Sequence, residues 1–69
     1  MKNDSPDLLL TRSEVQARYG IPKRYLEIAA WRGDGPPMIK LGRRAVRYRV
    51  GDLRAWIEAR RVAPEALDA

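Results

Sequence analysis

The run Gly33-Asp34-Gly35-Pro36-Pro37 divides this chain in two. Two glycines and two prolines within five residues let neither a helix nor a central strand pass through. Before the run, apolar residues recur at helical spacing; after it, they begin in period two. With 69 residues in all, each side has room only for short elements, and the two sides must share one core. A domain of this size buries only about 60% of its unfolded surface, so an enclosed catalytic cavity is not expected.

On the N-terminal side, residues 1–7 (MKNDSPD) are polar with a proline and read as a disordered arm. Leu8 to Leu10 form a short apolar, extended lead-in. Thr11-Arg12-Ser13-Glu14 has the form of a capping box, in which each end of the motif accepts from the backbone of the other. The first helix is therefore expected from about Arg12 to Tyr19, with Leu10 and Val15 as its hydrophobic staple. Gly20 stands where a left-handed residue would stop it. A second helix is expected from Pro22 to Arg32, with Pro22 at the first helical position, where its missing N–H costs nothing. Leu26, Ala29 and Ala30 form a narrow inner face on it. Two short helices joined by two or three residues around Gly20-Ile21 make a helix-turn-helix pattern.

On the C-terminal side, Ile39 and Leu41 alternate with Lys40, and Val46, Tyr48 and Val50 alternate with Arg47 and Arg49. Gly42-Arg43-Arg44-Ala45 reads as the loop of a β-hairpin. Its expected apolar face is Ile39, Leu41, Val46, Tyr48 and Val50. Its cationic face is Lys40, Arg47 and Arg49, with Arg43 and Arg44 at the tip. Gly51-Asp52 opens a third helix, Gly51 as N-cap and Asp52 suiting the helix dipole. Leu53, Trp56 and Ile57 turn one stripe to the core, and Arg60 and Arg61 occupy the last turn. Residues 63–69 drift acidic. The segment Pro64-Glu65-Ala66-Leu67 reads either as a disordered tail or as a docking strip for a partner. The organisation is thus an arm (1–7), one domain (8–62) and a tail (63–69).

Charge and missing residue types narrow the function. There is no Cys and no His, so thiolate and imidazole metal sites and His-dependent nucleophilic triads cannot be built. No paired carboxylates share a predicted face. A non-enzymatic protein with no cofactor and no metal is expected. The longest apolar run, Ile28 to Trp31, is far below the roughly 18 residues of a membrane span. Nothing at the N-terminus has the form of a signal peptide, so a cytoplasmic protein without membrane partners is expected. Residues 8–62 carry 13 basic and 5 acidic side chains, a net of +8, whereas the two ends are slightly acidic. A compact basic body is the electrostatic footprint of a polyanion binder.

The ordered set of residues resembles a known family. Leu9-Leu10-Thr11 with Glu14-Val15, Tyr19-Gly20-Ile21, Leu26, Gly33 with Pro36-Pro37, Lys40-Leu41-Gly42 with Arg44, Val46-Arg47-Tyr48-Arg49, and Asp52-Leu53-Arg54-Ala55-Trp56-Ile57 carry the likeness. Together, over roughly residues 8–58, they are similar to the small MerR-like winged helix-turn-helix domains of excisionases (recombination directionality factors) and AlpA-like regulators. The resemblance implies an α+β fold, mainly α: three helices with a two-stranded β-hairpin wing. It also implies a bacterial nucleoid-associated protein that occupies adjacent DNA sites and bends them for a site-specific recombinase, or a small transcriptional regulator. This chain departs from the pattern at Pro22, where the family usually has Ser or Thr. It departs also at Ala29, where a large residue is common, and at Glu27 and Ile28, which replace Tyr, Arg or Lys.

The chemistry expected is that of double-stranded DNA recognition. A helix of about ten residues is roughly 15 Å long and fits a major groove about 12 Å wide. Its N-terminal residues reach base edges; here these are Lys23, Arg24 and Glu27, with Ile28 and Trp31 further along the outer side. Lys23 or Arg24 suits guanine O6 and N7, and Glu27 suits a cytosine amine. The alternative reading of Glu27 is an i,i+4 partner of Lys23 on a solvated face. In the wing, Arg43, Arg44, Arg47 and Arg49 suit phosphates or a narrow minor groove, or else protect an exposed sheet edge by charge. Arg12 and Lys40 read as backbone contacts, Arg12 either on a phosphate beside the first helix's N–H groups or simply solvated. Tyr48 and Trp56 are expected in the core; Trp31 is expected to form an interface or to cover the hairpin base. A module this small binds weakly alone, so self-association on DNA is expected. An RNA- or protein-binding module is a rival reading, disfavoured because there is no Phe and few aromatics point outward.

Overall fold

The structure is a computed structural model and describes residues 5–62. Its elements, in chain order, are β1 (Leu9–Leu10), α1 (Arg12–Tyr19), α2 (Lys23–Arg32), β2 (Ile39–Lys40), β3 (Val46–Arg49) and α3 (Val50–Ala59). The fold is α+β and mainly helical. The expected two-stranded wing is part of a three-stranded antiparallel sheet of order β1-β3-β2. Leu8 to Leu10 are therefore more than an extended lead-in: Leu9 pairs with Arg49 and Leu10 with Tyr48.

The two N-terminal helices follow from local chemistry. Thr11 Oγ1 accepts the Glu14 N–H at 3.1 Å, and Glu14 Oε1 accepts the Thr11 N–H at 2.8 Å, completing the capping box. Gly20 (φ 74°) donates its N–H to Gln16 O and ends α1. Only glycine takes this left-handed conformation without penalty. Pro22, expected inside α2, is instead its N-cap, with extended backbone and no side-chain acceptor. The first free N–H of the helix, that of Lys23, is taken by Gln16 Oε1 at 2.7 Å. Gln16 thus binds both ends of the turn, Gly20 through its carbonyl and Lys23 through its side chain.

At the other end of α2, Gly33 (φ 82°) and Asp34 both donate to Ala29 O, at 2.8 and 3.1 Å. The chain then folds back over the helix it has just left. A Cβ on Gly35 would lie 2.9 Å from the Cβ of Ala29. Pro36 follows as a buried residue. The small residue on the inner face of α2 and the glycine of the dividing run are therefore one packing contact.

Leu10, Val15, Leu26, Tyr48, Val50 and Leu53 form the core, with Leu8, Tyr19, Ile21, Met38 and Val46 packed around it. The staple pair Leu10 and Val15 lies inside it. α1 packs against both α2 and β3, so it is the layer that joins the helix pair to the sheet.

Several expectations are corrected. In the hairpin, Ile39 pairs with Arg47 and Lys40 with Val46. Directly opposed residues share a face, so Ile39 lies on the Arg47 side and Lys40 on the Val46 side. Leu41 is 59% exposed, and Met38 supplies the core contact in place of the expected Ile39 and Leu41. The hydrogen bond from Leu41 N–H to Ala45 O closes the loop and sets this register. Val50 begins α3 rather than ending the strand, with Arg49 as N-cap in place of Gly51. The N–H groups of Val50 and Gly51 donate to Leu8 O and Pro6 O, both at 2.9 Å. Backbone carbonyls replace the missing side-chain cap. Of the segment expected to be a disordered arm, Ser5 to Asp7 are thus fastened to the start of α3, and residues 1–4 lie outside the described residues. α3 ends at Ala59, so Arg60 is its C-cap and Arg61 lies beyond it. Trp56 is half-buried at the edge of the core, its ring 6.4 Å from that of Tyr25 and covered by the Arg60 guanidinium at 4.3 Å. The tail, 63–69, lies outside the described residues.

Candidate nucleic-acid interface

α2 buries Leu26 and Ala29 and turns the opposite face outward. At about 100° per residue, that face is centred on Arg24, Ile28 and Trp31, with Glu27 and Lys23 on one side and Arg32 on the other. Lys23, Arg24, Glu27, Ile28 and Trp31 are all exposed, Trp31 to 88%. The i,i+4 pair between Lys23 and Glu27 does not form: neither side chain has a hydrogen-bond or ion-pair partner among the described residues. α2 therefore presents cation, carboxylate and apolar side chains next to one another, none of them neutralised locally.

The hairpin divides its basic residues by depth and by face. Arg43 and Arg44 stand at the exposed tip. Arg47 is half-buried and donates to its neighbour's carbonyl, Val46 O, at 3.0 Å. Arg49 lies at the root of β3, four residues from Ala45 or about 13 Å along a strand. Its guanidinium is 3.7 Å from the Asp7 carboxylate. Lys40 is exposed but occupies the face opposite Arg47 and Arg49. The seven-residue arginine cluster of the sequence is thus two groups, a free tip and an engaged root.

Arg12 is half-buried rather than simply solvated. Its Nε donates to Tyr48 Oη at 3.1 Å, a second guanidinium nitrogen lies 4.0 Å from Met38 Sδ, and its Cζ stands 5.9 Å from the centre of the Tyr48 ring. This half-buried cation ties the start of α1 to β3 and to Met38, the residue before β2. Arg32 lies 3.9 Å from Asp34, and Arg60 donates to Asp34 O. By contrast, the side chains of Lys23, Arg24, Lys40, Arg43 and Arg44 have no hydrogen bond or ion pair among the described residues.

One residue that shapes the site gives no local signal in the sequence. Gln16 acts across the turn, and the only hint of its role is a proline where a capping side chain would normally stand. Trp31, expected at an interface or over the hairpin base, lies on the α2 face with Arg24. The two are seven residues apart, almost two full turns, and that spacing gives them nearly the same direction.

A family model described as a helix-turn-helix domain matches residues 9–61. The chain belongs to the helix-turn-helix domain family. The match begins at β1 and runs beyond the end of α3, so the sheet and all three helices fall within the family domain. α2 is the second helix of the helix-turn-helix pair. Comparisons with curated proteins and with solved structures gave no significant match. No described helix is long and apolar enough to cross a membrane.

Proposed function

We propose that this helix-turn-helix protein binds double-stranded DNA sequence-specifically, as an excisionase-type architectural factor working on adjacent sites. α2 enters the major groove, with Lys23 and Arg24 on guanine edges or flanking phosphates and Glu27 accepting from a cytosine amine. Arg43 and Arg44 reach the backbone or a narrow minor groove from the hairpin tip. Lys40 adds charge from the other face of the hairpin. Arg47 and Arg49 lie further from the tip, and Arg12 acts from inside the domain by holding the sheet.

The observation that carries this reading is where the unpartnered cations fall. Arginines near the ends of α2 and α3, and at the root of the sheet, are engaged with Asp34, Asp7 or aromatic rings. Those at the start of α2 and around the hairpin tip have no partner among the described residues. Cations that are exposed and held apart from acids contribute no contact to the fold; they suit an external polyanion. One module of this size buries only about 600–1,000 Å² on DNA, which favours neighbouring copies bound together.

Footprinting on the DNA flanking the protein's own gene, followed by circular-permutation gel shift on the protected site, tests the proposal. Protection over adjacent sites with a bend in the DNA is expected. Protection of a single unbent site would move the assignment to an AlpA-like regulator, and failure to bind duplex DNA in dilute salt would overturn it. Arg24→Ala should relax the preference among sites while leaving binding to unrelated duplex measurable.

A further inference from the structure

The outer face of α2 holds two exposed apolar side chains that the fold does not use: Ile28 at 41% and Trp31 at 88% exposure. Trp31 lies on nearly the same azimuth as Arg24, about 10 Å further along the helix, and Ile28 lies between them along the axis. A folded domain has no reason of its own to expose a tryptophan to this extent on a helix flanked by charge. Any surface that receives Arg24 also meets Ile28 and Trp31.

The occupant must therefore suit cations, a carboxylate and apolar groups within one narrow stripe. A bare row of phosphates does not, because Glu27 would be repelled and Ile28 and Trp31 left wet. The major groove does: it offers acceptors, amine donors and, at every thymine, a methyl group, all set in a strongly anionic frame. Charge complementarity supports the same occupant, since α2 carries Lys23, Arg24 and Arg32 against the single acid Glu27.

We infer that Ile28 and Trp31 read thymine through its C5-methyl group, so that the sites this protein prefers contain thymine beside the pairs read by Arg24 and Glu27. The inference rests on the proposed insertion of α2 into the major groove and adds the base class that its apolar residues select. Along the helix Ile28 and Trp31 are about 4.5 Å apart, between one and two base steps of about 3.4 Å.

Two duplex polymers that differ only in this methyl group, and that set a G·C pair beside every thymine or uracil for Arg24 and Glu27, test it: poly(dT-dG)·poly(dC-dA) and poly(dU-dG)·poly(dC-dA), titrated with the full chain at the same salt. Burying one methyl group contributes about 0.8 kcal/mol, or about fourfold in affinity. The wild-type protein is expected to bind the thymine polymer at least about fourfold more tightly. Ile28→Ala combined with Trp31→Ala should bring the two affinities together while duplex binding persists, because both residues are exposed and the cations remain. Equal wild-type affinity for the two polymers would overturn the inference and leave the DNA-binding proposal standing. Absence of binding to both would overturn the two together. Free protein that self-associates, and that the double variant returns to monomer without any thymine preference having been present, would assign the stripe to contact between copies and likewise overturn it.

Discussion

Gln16 Oε1 accepts the Lys23 N–H at 2.7 Å, so a side chain of α1 closes the first turn of α2. Pro22, the N-cap, has no side-chain group to do this. The orientation of α2, the helix proposed to enter the major groove, is thereby tied to the helix before it, across a turn of three residues. Gln16→Ala should lower stability by about 1 kcal/mol, the usual cost of a lost cap, and lower the Tm by about 4–8 °C for a domain of this size. Gln16→Glu keeps an acceptor at a helix N-terminus and should retain most of that stability. Thermal unfolding followed by circular dichroism checks both; equal losses in the two variants would mean that the hydrogen bond contributes nothing.

Gly35 and Ala29 form the second constraint on α2. A methyl group at position 35 would meet Ala29 Cβ at 2.9 Å, inside ordinary contact distance. Gly35→Ala should therefore destabilise the fold by about 1–3 kcal/mol, as overpacking does. Ala29→Gly costs about 1 kcal/mol by helix propensity alone but opens the space. The double variant should be more stable than the sum of the two single effects requires. Strict additivity in urea unfolding would show that the two positions do not touch.

The half-buried Arg12 guanidinium and the buried Tyr48 hydroxyl form a third pair. Arg12→Ala removes the donor to a hydroxyl on a fully buried residue, a loss of about 1–3 kcal/mol, together with the cation above the ring. Tyr48→Phe should cost less, because Arg12 retains solvent access. A double-mutant cycle should give a coupling of about 1 kcal/mol. The salt dependence of duplex binding should be the same for Arg12→Ala as for wild type. A slope reduced by one would place Arg12 on a phosphate as well.

The two arginine groups of the hairpin are separable by salt. If the protein neutralises six to eight phosphates, log K falls with log salt at a slope of about −5 to −7. Arg43→Ala with Arg44→Ala should make that slope shallower by about two, since both side chains are exposed and have no partner among the described residues. Arg49→Ala, at the root and beside Asp7, should leave it unchanged. Fluorescence anisotropy across a salt series measures both, and the opposite pattern would move the contact surface from the hairpin tip to the middle of the sheet.

Local hydrogen-bonding chemistry is legible in the order of residues alone. Thr11 and Glu14 are three residues apart and satisfy each other; Gly20 and Gly33 stop the helices that precede them; the bounds of α1 follow residue by residue. These features involve neighbours along the chain, so residue identity decides them. The hairpin is legible in period but not in phase. Met38-Ile39-Lys40-Leu41 can turn either pair of alternate residues inward, and hydrophobicity favours Ile39 and Leu41. The loop closed between Leu41 and Ala45, together with the pairing to β3, turns Met38 inward instead.

The candidate site divides along the same line. Residue types at helical and alternating spacing determined that α2 carries Lys23, Arg24 and Glu27 outward and that a basic loop follows the dividing run. Only the tertiary structure decided which cations stay free. Arg12 is drawn onto Tyr48, and Arg49 meets Asp7 because residues 5–8 fold back over the start of α3. Contacts between residues so far apart along the chain depend on how distant segments pack, and no local pattern of residue types encodes that.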